Sequence, residues 1–388
     1  MTLGAEKISL HLHLDEGMVS EVDIRSDRTA MAARMLEQKS TAKATALLPL
    51  LFSLCGTSQL QAGLMAIEEA TGVSPSPAHI AARKLLINAE TVSETAMCLL
   101  VNWPKLAGLS DGLADVRDIR DLCTSFKIHL FEGGQNDRIG GAPLQVDMKS
   151  LRSHMIMLRA RLDICIFDGA IDKFQTLCDA RSYQEWLVAN DSLPAQCLKA
   201  WQDYALNWPA PKMIPTLDRT FLSKQLDQDN AEAFIARPTC NNTCYETGPY
   251  ARQINHPLVK SLPQSQGRLV ARLIDLAEAL DEMDKAIEAL SIDQTPFHTK
   301  PTHKGLGQVE AVRGQLIHRV WLDSENDIIQ RYRILAPTEW NFHPDGVLKQ
   351  TLLGMDGSDK NHLEQYAKLA ITTLDPCVGF EIKIEDAC

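Results

Sequence analysis

Ten cysteines occur in this 388-residue chain, and four of them sit where a thiol could do chemistry. Cys377 follows Asp375-Pro376 at the end of a helical pattern. Proline disfavours helical geometry in the residue before it, so this thiol is left on irregular backbone at a helix exit. That is a good place to hold a soft metal ion. Cys55 lies in Leu54-Cys55-Gly56-Thr57-Ser58, within a helix or at its start. Cys240 and Cys244 form a pair at i and i+4 in a polar loop. Others, such as Cys98 in Ala96-Met97-Cys98-Leu99-Leu100 and Cys165 in Ile164-Cys165-Ile166, read as small buried hydrophobes. Cys388 ends the chain and reads as an incidental thiol on a mobile tail.

The elements that must position these residues follow from periodicity. Ile8 to Leu14 alternates apolar and polar residues, Asp15-Glu16-Gly17 makes a turn, and Val19, Val22 and Ile24 follow. This predicts an N-terminal hairpin with Ser9, His11 and His13 on a solvated polar face. Helices are expected over Ala30 to Gln38, Ala46 to Ala70, Ala78 to Val101, Asp111 to Lys127, Val146 to Ala170 and Tyr183 to Ala189. The stretch 190–262 is rich in proline, poor in periodicity, and reads as irregular loops. Gly267 to Leu290 carries the strongest helical stripe, with Asp and Glu on its other face. A hairpin over Gln315 to Leu322 and Ile328 to Leu335, turning at 323–326, precedes a last helix from Asn361 to Thr373. The fold class is α+β, mainly α, a helical bundle with small peripheral β hairpins.

Composition narrows the function classes. Lys plus Arg is 39 and Asp plus Glu is 50, a formal charge of −11 spread along the chain with no basic stripe. Nucleic acid and anionic membrane are therefore not expected as partners. The longest apolar run, Ala44 to Leu54, is interrupted by Thr45, Pro49 and Ser53 and is too short to span a bilayer. The N-terminus lacks the basic flank and apolar core of a signal peptide, which predicts a cytoplasmic protein with reduced thiols. The Gly133-Gly134 to Gly140-Gly141 segment has no lysine at phosphate-loop spacing.

Taken in order, several blocks resemble the large subunit of nickel–iron hydrogenases. Glu246-Thr-Gly-Pro-Tyr-Ala-Arg252 is similar to that family's EVGPLAR. The run from Gly305 to Gly314 is similar to GLGxxEAPRG, and Ala336-Pro-Thr-Glu-Trp-Asn341 to PTTWN. Asp375-Pro376-Cys377 resembles DPCxxCxxH, Leu54-Cys55-Gly56 falls at RxCGxCxxxH, and Arg34-Met-Leu-Glu37 falls at RGxE. The order is colinear from about residue 8 to 383. The resemblance implies one hydrogenase-large-subunit-like domain over 1–388. Its parts would be a hairpin (1–28), a helical body (29–290) and a β hairpin with the C-terminal helix and Cys tail (291–388).

The departures from the family pattern are pointed. In the enzymes four cysteines hold the metals, two terminal on nickel and two bridging to an iron that carries cyanide and carbon monoxide. Here the first cysteine of each pair is kept as Cys55 and Cys377, whereas the bridging positions are Ser58 and Phe380. Ser53 and Ala62 replace the arginine and histidine of the first motif, and Val312 replaces the proline before Arg313. The matching positions of the outlying magnesium-type site are Ser9 and Lys383. Arg313 matches the guanidinium beside the iron's diatomic ligands, Thr338 a hydroxyl that donates to cyanide, and Glu37 the glutamate that relays protons near nickel. Without nickel, Glu37 also reads as a solvated helix residue, and Arg313 as a salt-bridge partner.

This pattern resembles the HupK/HoxV group of hydrogenase assembly proteins, catalytically inert relatives of the large subunit. The resemblance implies a non-enzymatic scaffold that transiently holds an Fe(CN)2(CO) unit on Cys55 and Cys377, with no nickel. Implied partners are a HypC-type chaperone, a HypD-type iron protein and the immature large subunit. Cys240 and Cys244 lie outside the enzyme pattern. They fit a second iron perch, a redox pair or incidental reduced thiols. Alternatives for the whole chain are a metal-free chaperone docking the maturation proteins, or a structural subunit of an electron-transfer complex.

Overall fold

The computed structural model describes residues 7–26, 31–202, 204, 208–209, 212, 218–290, 295–325 and 327–386. Two strands, β1 (Lys7–Asp15) and β2 (Met18–Ser26), form the expected N-terminal hairpin. Leu10, Leu12 and Val22 are buried, with His11 and His13 half-buried on the other face. The helix expected from Ala30 is a single turn, Met31–Arg34, followed by turns to Gln38; Ala30 itself lies outside the described residues.

The long helix expected over Ala46 to Ala70 is two helices, α1 (Thr41–Leu51) and α2 (Gly56–Thr71). The break has a local cause. Pro49 lacks an N–H, the helix ends within three residues of it, and the chain folds back so that Gly56 packs on Pro49. A Cβ at position 56 would sit 3.1 Å from the Pro49 Cα. This break places Cys55 at the start of α2.

The body is then built from α3 (Pro77–Met97), α4 (Leu113–Leu130), α5 (Met148–Phe167) and a long central helix, α6 (Gln264–Glu288). Leu269, Leu273, Leu276, Leu280, Met283 and Ile287 of α6 are buried, as its stripe predicts. The other face differs from expectation. Arg268, Arg272 and Asp275 are also buried; Arg268 and Asp275 form ion pairs with Glu246 and Arg252, and Arg272 with Asp375. Where its first half is enclosed on both sides, the helix satisfies its charges by pairing rather than by solvent, whereas Glu278, Lys285 and Glu288 further along are exposed as expected.

The segment 190–262 is not simply irregular. Among its described residues are five short helices: Leu193–Ala200, Arg219–Leu226, Ala231–Ala236, Pro249–Gln253 and Pro257–Ser261. Each has eight residues or fewer, so none shows a helical period in sequence.

A three-stranded antiparallel sheet follows: β3 (Lys304–Ala311), β4 (Gly314–Leu322) and β5 (Ile329–Leu335). The expected hairpin is β4–β5, with Asn326 of its turn outside the described residues. β3 is additional. Its glycines hide the strand pattern because they serve close packing: a Cβ at Gly305 would lie 1.8 Å from the Ala66 carbonyl oxygen, and one at Gly307 1.8 Å from that of Ala62. Only glycine lets this strand lie directly on α2.

The last elements are α7 (Pro337–Asn341), α8 (Lys360–Leu374) and a strand, β6 (Gly379–Asp386). β6 pairs in parallel with β1, giving the order β2-β1-β6 and joining the two ends of the chain. Cys388 lies outside the described residues. Among the described residues, no helix is long and apolar enough to cross a membrane. The observed class is α+β, mainly α.

Candidate functional site

Four of the residues singled out in sequence meet at one small cavity. Cys55, Arg313, Thr338 and Cys377 line it together with Gln59, Val312 and Pro337. They arrive from four directions: the start of α2, the β3–β4 turn, the first turn of α7 and the exit of α8. The cavity has a volume of about 20 Å³, room for little more than one water.

Cys377 is delivered by an unusual backbone. Asp375 caps α8 in the left-handed region at φ 53°, ψ 75°, and its carboxylate is buried. Two guanidiniums clamp it: Arg272 Nη1 at 3.1 Å and Arg313 Nε at 3.2 Å. Arg313 Nε also donates to the Asp375 carbonyl at 3.1 Å, and its Nη2 lies 3.5 Å from Glu94. Burial opposes the Arg313 charge, but the Asp375 and Glu94 carboxylates outweigh it and hold the group above its usual range. The remaining nitrogen, Nη1, is buried and has no hydrogen-bond partner. A buried unfilled donor beside two thiols suits an acceptor brought in from outside.

Cys55 occupies the N-cap position of α2 without capping it. The first N–H groups of that helix go instead to the Glu90 carboxylate, which accepts from Thr57 N at 2.6 Å, Ser58 N at 3.0 Å and the Ser58 hydroxyl at 2.5 Å. Burial pushes the Cys55 thiol up to about 12, and the nearby Glu90 and Cys377 add to this. Gln59 and Arg313 pull in the other direction. The Thr338 hydroxyl lies 3.2 Å from Cys377 Sγ.

The two positions that would carry bridging cysteines are turned elsewhere. Ser58 is fully buried and bound to Glu90; Phe380 is exposed on β6, opposite Ile8. Neither lines the thiol cavity. Ser9 pairs with Glu381 across β1 and β6, whereas Lys383 stands opposite His11.

Glu37 does not join this site. Its carboxylate accepts from Tyr332 N at 3.1 Å and faces a separate cavity of about 680 Å³, shared with Arg34, Arg331 and Arg333. Ala336 and Thr338 line both cavities and form the partition between them. Cys240 and Cys244 are also separate. Asn241 and Asn242 both have positive φ, so Cys240 and Thr243 close a tight turn by exchanging backbone hydrogen bonds. Cys240 packs on a small apolar cluster containing Leu222 and Trp340, while Cys244 Sγ lies 3.2 Å from His343 Nδ1. His343 carried no motif signal; only the fold brings it there. Among the described residues, no group of three or more His, Cys, Asp or Glu side chains is arranged to hold a metal ion.

The remaining motif acts as a clasp. Glu246 pairs with Arg268 at 2.6 Å, and Arg252 with Asp275 at 2.7 Å, fastening residues 246–252 to α6. Gly248, at φ 108°, approaches the Arg313 carbonyl to within 2.9 Å of where a Cβ would stand. The clasp thus supports the turn that carries Arg313.

The nickel-dependent hydrogenase family matches residues 255–380. Hydrogenase expression/formation protein HupV of Azotobacter chroococcum mcd 1 is 28% identical over 387 residues, covering 98% of this chain and 99% of that protein. Hydrogenase expression/formation protein HupK of Azotobacter vinelandii is 27% identical over 394 residues, covering 99% and 100%. In solved structures, the reduced, active Ni-Fe-Se hydrogenase of Desulfomicrobium baculatum superposes with a TM-score of 0.66 at 16% identity, covering 94% of this chain and 95% of that one. That likeness establishes the fold. The chain is similar over nearly its whole length to the HupK, HupV and HoxV hydrogenase expression/formation proteins, and it has the large-subunit fold of nickel-dependent hydrogenases.

Proposed function

We propose that this protein acts in hydrogenase maturation as a scaffold that holds an Fe(CN)2(CO) unit in transit. The observation that carries the reading is the convergence of Cys55, Cys377 and the unfilled Arg313 Nη1 on one buried cavity. Two thiolates alone make a poor cage for a bare cation. They suffice for an iron that arrives with three diatomic ligands, and they can let it go again. Arg313 Nη1 would donate to a cyanide nitrogen, a charge-assisted bond for which the guanidinium is already fixed by Asp375 and Glu94. Thr338 would donate to the second cyanide by turning its hydroxyl from Cys377.

Loading needs movement. A cavity of about 20 Å³ is too small for three diatomic ligands, and the Ala336–Thr338 partition faces the 680 Å³ cavity next to it. Displacing that partition would open a route. Donor and acceptor of the cargo would be a HypD-type iron protein, a HypC-type chaperone and the immature large subunit. The absence of bridging thiols from Ser58 and Phe380 favours a carrier over a nickel–iron catalyst. The test is anaerobic purification with the maturation machinery present, with iron analysis and infrared spectroscopy. Cyanide and carbonyl bands that vanish in Cys55→Ala and in Cys377→Ala are expected. Bands that persist in both variants overturn the assignment; wild-type protein free of iron favours a metal-free docking chaperone.

A further inference from the structure

A buried chain of hydrogen bonds ends on the Cys55 sulfur. The Tyr332 hydroxyl lies 2.8 Å from His318 Nδ1, and His318 Nε2 lies 2.9 Å from Gln59 Oε1. Gln59 Nε2 lies 3.7 Å from Cys55 Sγ. All three relay side chains are essentially inaccessible to solvent. Tyr332 and His318 lie outside the motifs that mark the thiol site, and Gln59 holds an unspecified position within the first of them.

The direction of the chain follows from what each atom can do. An amide oxygen only accepts, so His318 Nε2 carries the proton that faces Gln59. Burial pushes His318 down to about 3, so the ring is neutral and Nδ1 is its acceptor. The Tyr332 hydroxyl therefore donates to Nδ1. Every donor points towards Cys55, and the last one, the Gln59 N–H, is left for the sulfur. The packing is built around this line: α2 carries Gly63 where a Cβ would meet the Tyr332 hydroxyl at 2.9 Å and Leu48 Cδ1 at 2.2 Å.

We propose that Tyr332, His318 and Gln59 are positioning residues that keep the Cys55 sulfur a hydrogen-bond acceptor and draw charge from it when it holds a metal. Donors to a ligating atom tune the metal through the ligand. This deepens the scaffold reading and rests on it for the metal. A softened sulfur donates less to iron and suits a ligand that must later release it.

Two measurements test the chain, the first of them independently of iron carriage. Nitrogen-15 NMR of the metal-free protein, assigned with His318→Phe, should show His318 as the Nε2–H tautomer. The Nδ1–H tautomer would reverse the chain and overturn the proposal whether or not iron binds. In the loaded protein, Gln59→Met removes the donor at similar volume. The carbonyl stretch should move to lower wavenumber as the iron becomes richer in electrons, with a smaller shift in the same direction for Tyr332→Phe. An unchanged carbonyl stretch in Gln59→Met, with bands present, also overturns it. Lack of bands in the wild type sinks the iron reading, while the tautomer still decides the chain.

Discussion

Two thiol pairs stood out in sequence, and the fold treats them in opposite ways. Cys55 and Cys377, 322 positions apart in the numbering, line one cavity held by α2, the β3–β4 turn, α7 and the exit of α8. Cys240 and Cys244, close in sequence, sit on one tight turn, one packed on an apolar cluster and the other beside His343. Proximity in sequence thus says little about a shared site. What matters is how many rigid elements converge and whether buried charges fix them. At the first pair, Arg272, Arg313, Asp375 and Glu94 form a buried ionic network; at the second, Asp345 is exposed and pairs with Lys349 at the surface.

The largest expected effect divides the pairs outright. Cys55→Ala or Cys377→Ala should abolish bound iron, and a Cys240→Ala/Cys244→Ala double variant should retain it, measured as iron per chain. Iron lost from the double variant would erase the contrast. Next is the ionic network. Asp375→Ala leaves two buried guanidiniums short of a partner and should cost about 3–5 kcal/mol in urea denaturation. Asp345→Ala, at the surface, should cost about 0.5 kcal/mol or less.

Acid stability should separate the two histidines. His318 is depressed to about 3 from an ordinary value of 6.5, so the unfolded chain takes up a proton that the folded chain refuses. Stability is therefore present above pH 6.5 and is lost as pH falls towards 3, by on the order of a few kcal/mol. His318→Phe should flatten that slope more than His343→Phe, whose ring is depressed by burial to a smaller degree. Equal slopes would remove the distinction. At the thiol cavity itself the smallest effect is at Thr338. Thr338→Val removes one hydroxyl–sulfur contact and should cost about 1 kcal/mol. A much larger loss would mean that Thr338 supports the partition itself.

Much of the architecture was legible locally. The N-terminal hairpin, α6, the β4–β5 hairpin and α8 follow from clean periods of two or 3.6 residues. Misreadings have physical causes. Pro49 splits one apparent helix into two, and the glycines at 305 and 307 conceal a strand because packing on α2 requires them. β6 carries an alternating signal in Phe380, Ile382 and Ile384, directly after Cys377. Its parallel partner, some 370 residues away, was not readable from the segment.

By itself, the sequence determined the residue types: thiols at Cys55 and Cys377, a serine and a phenylalanine where the hydrogenase pattern has cysteines, and the arginine and threonine that accompany them. Those are matters of residue type, which order along the chain preserves. Tertiary structure alone decided which of these residues meet. It brought Arg313 to Asp375 and Glu94, sent Glu37 to a different cavity, and aimed Tyr332, His318 and Gln59 at Cys55. Distances between remote side chains are set by packing, and local pattern holds no record of them.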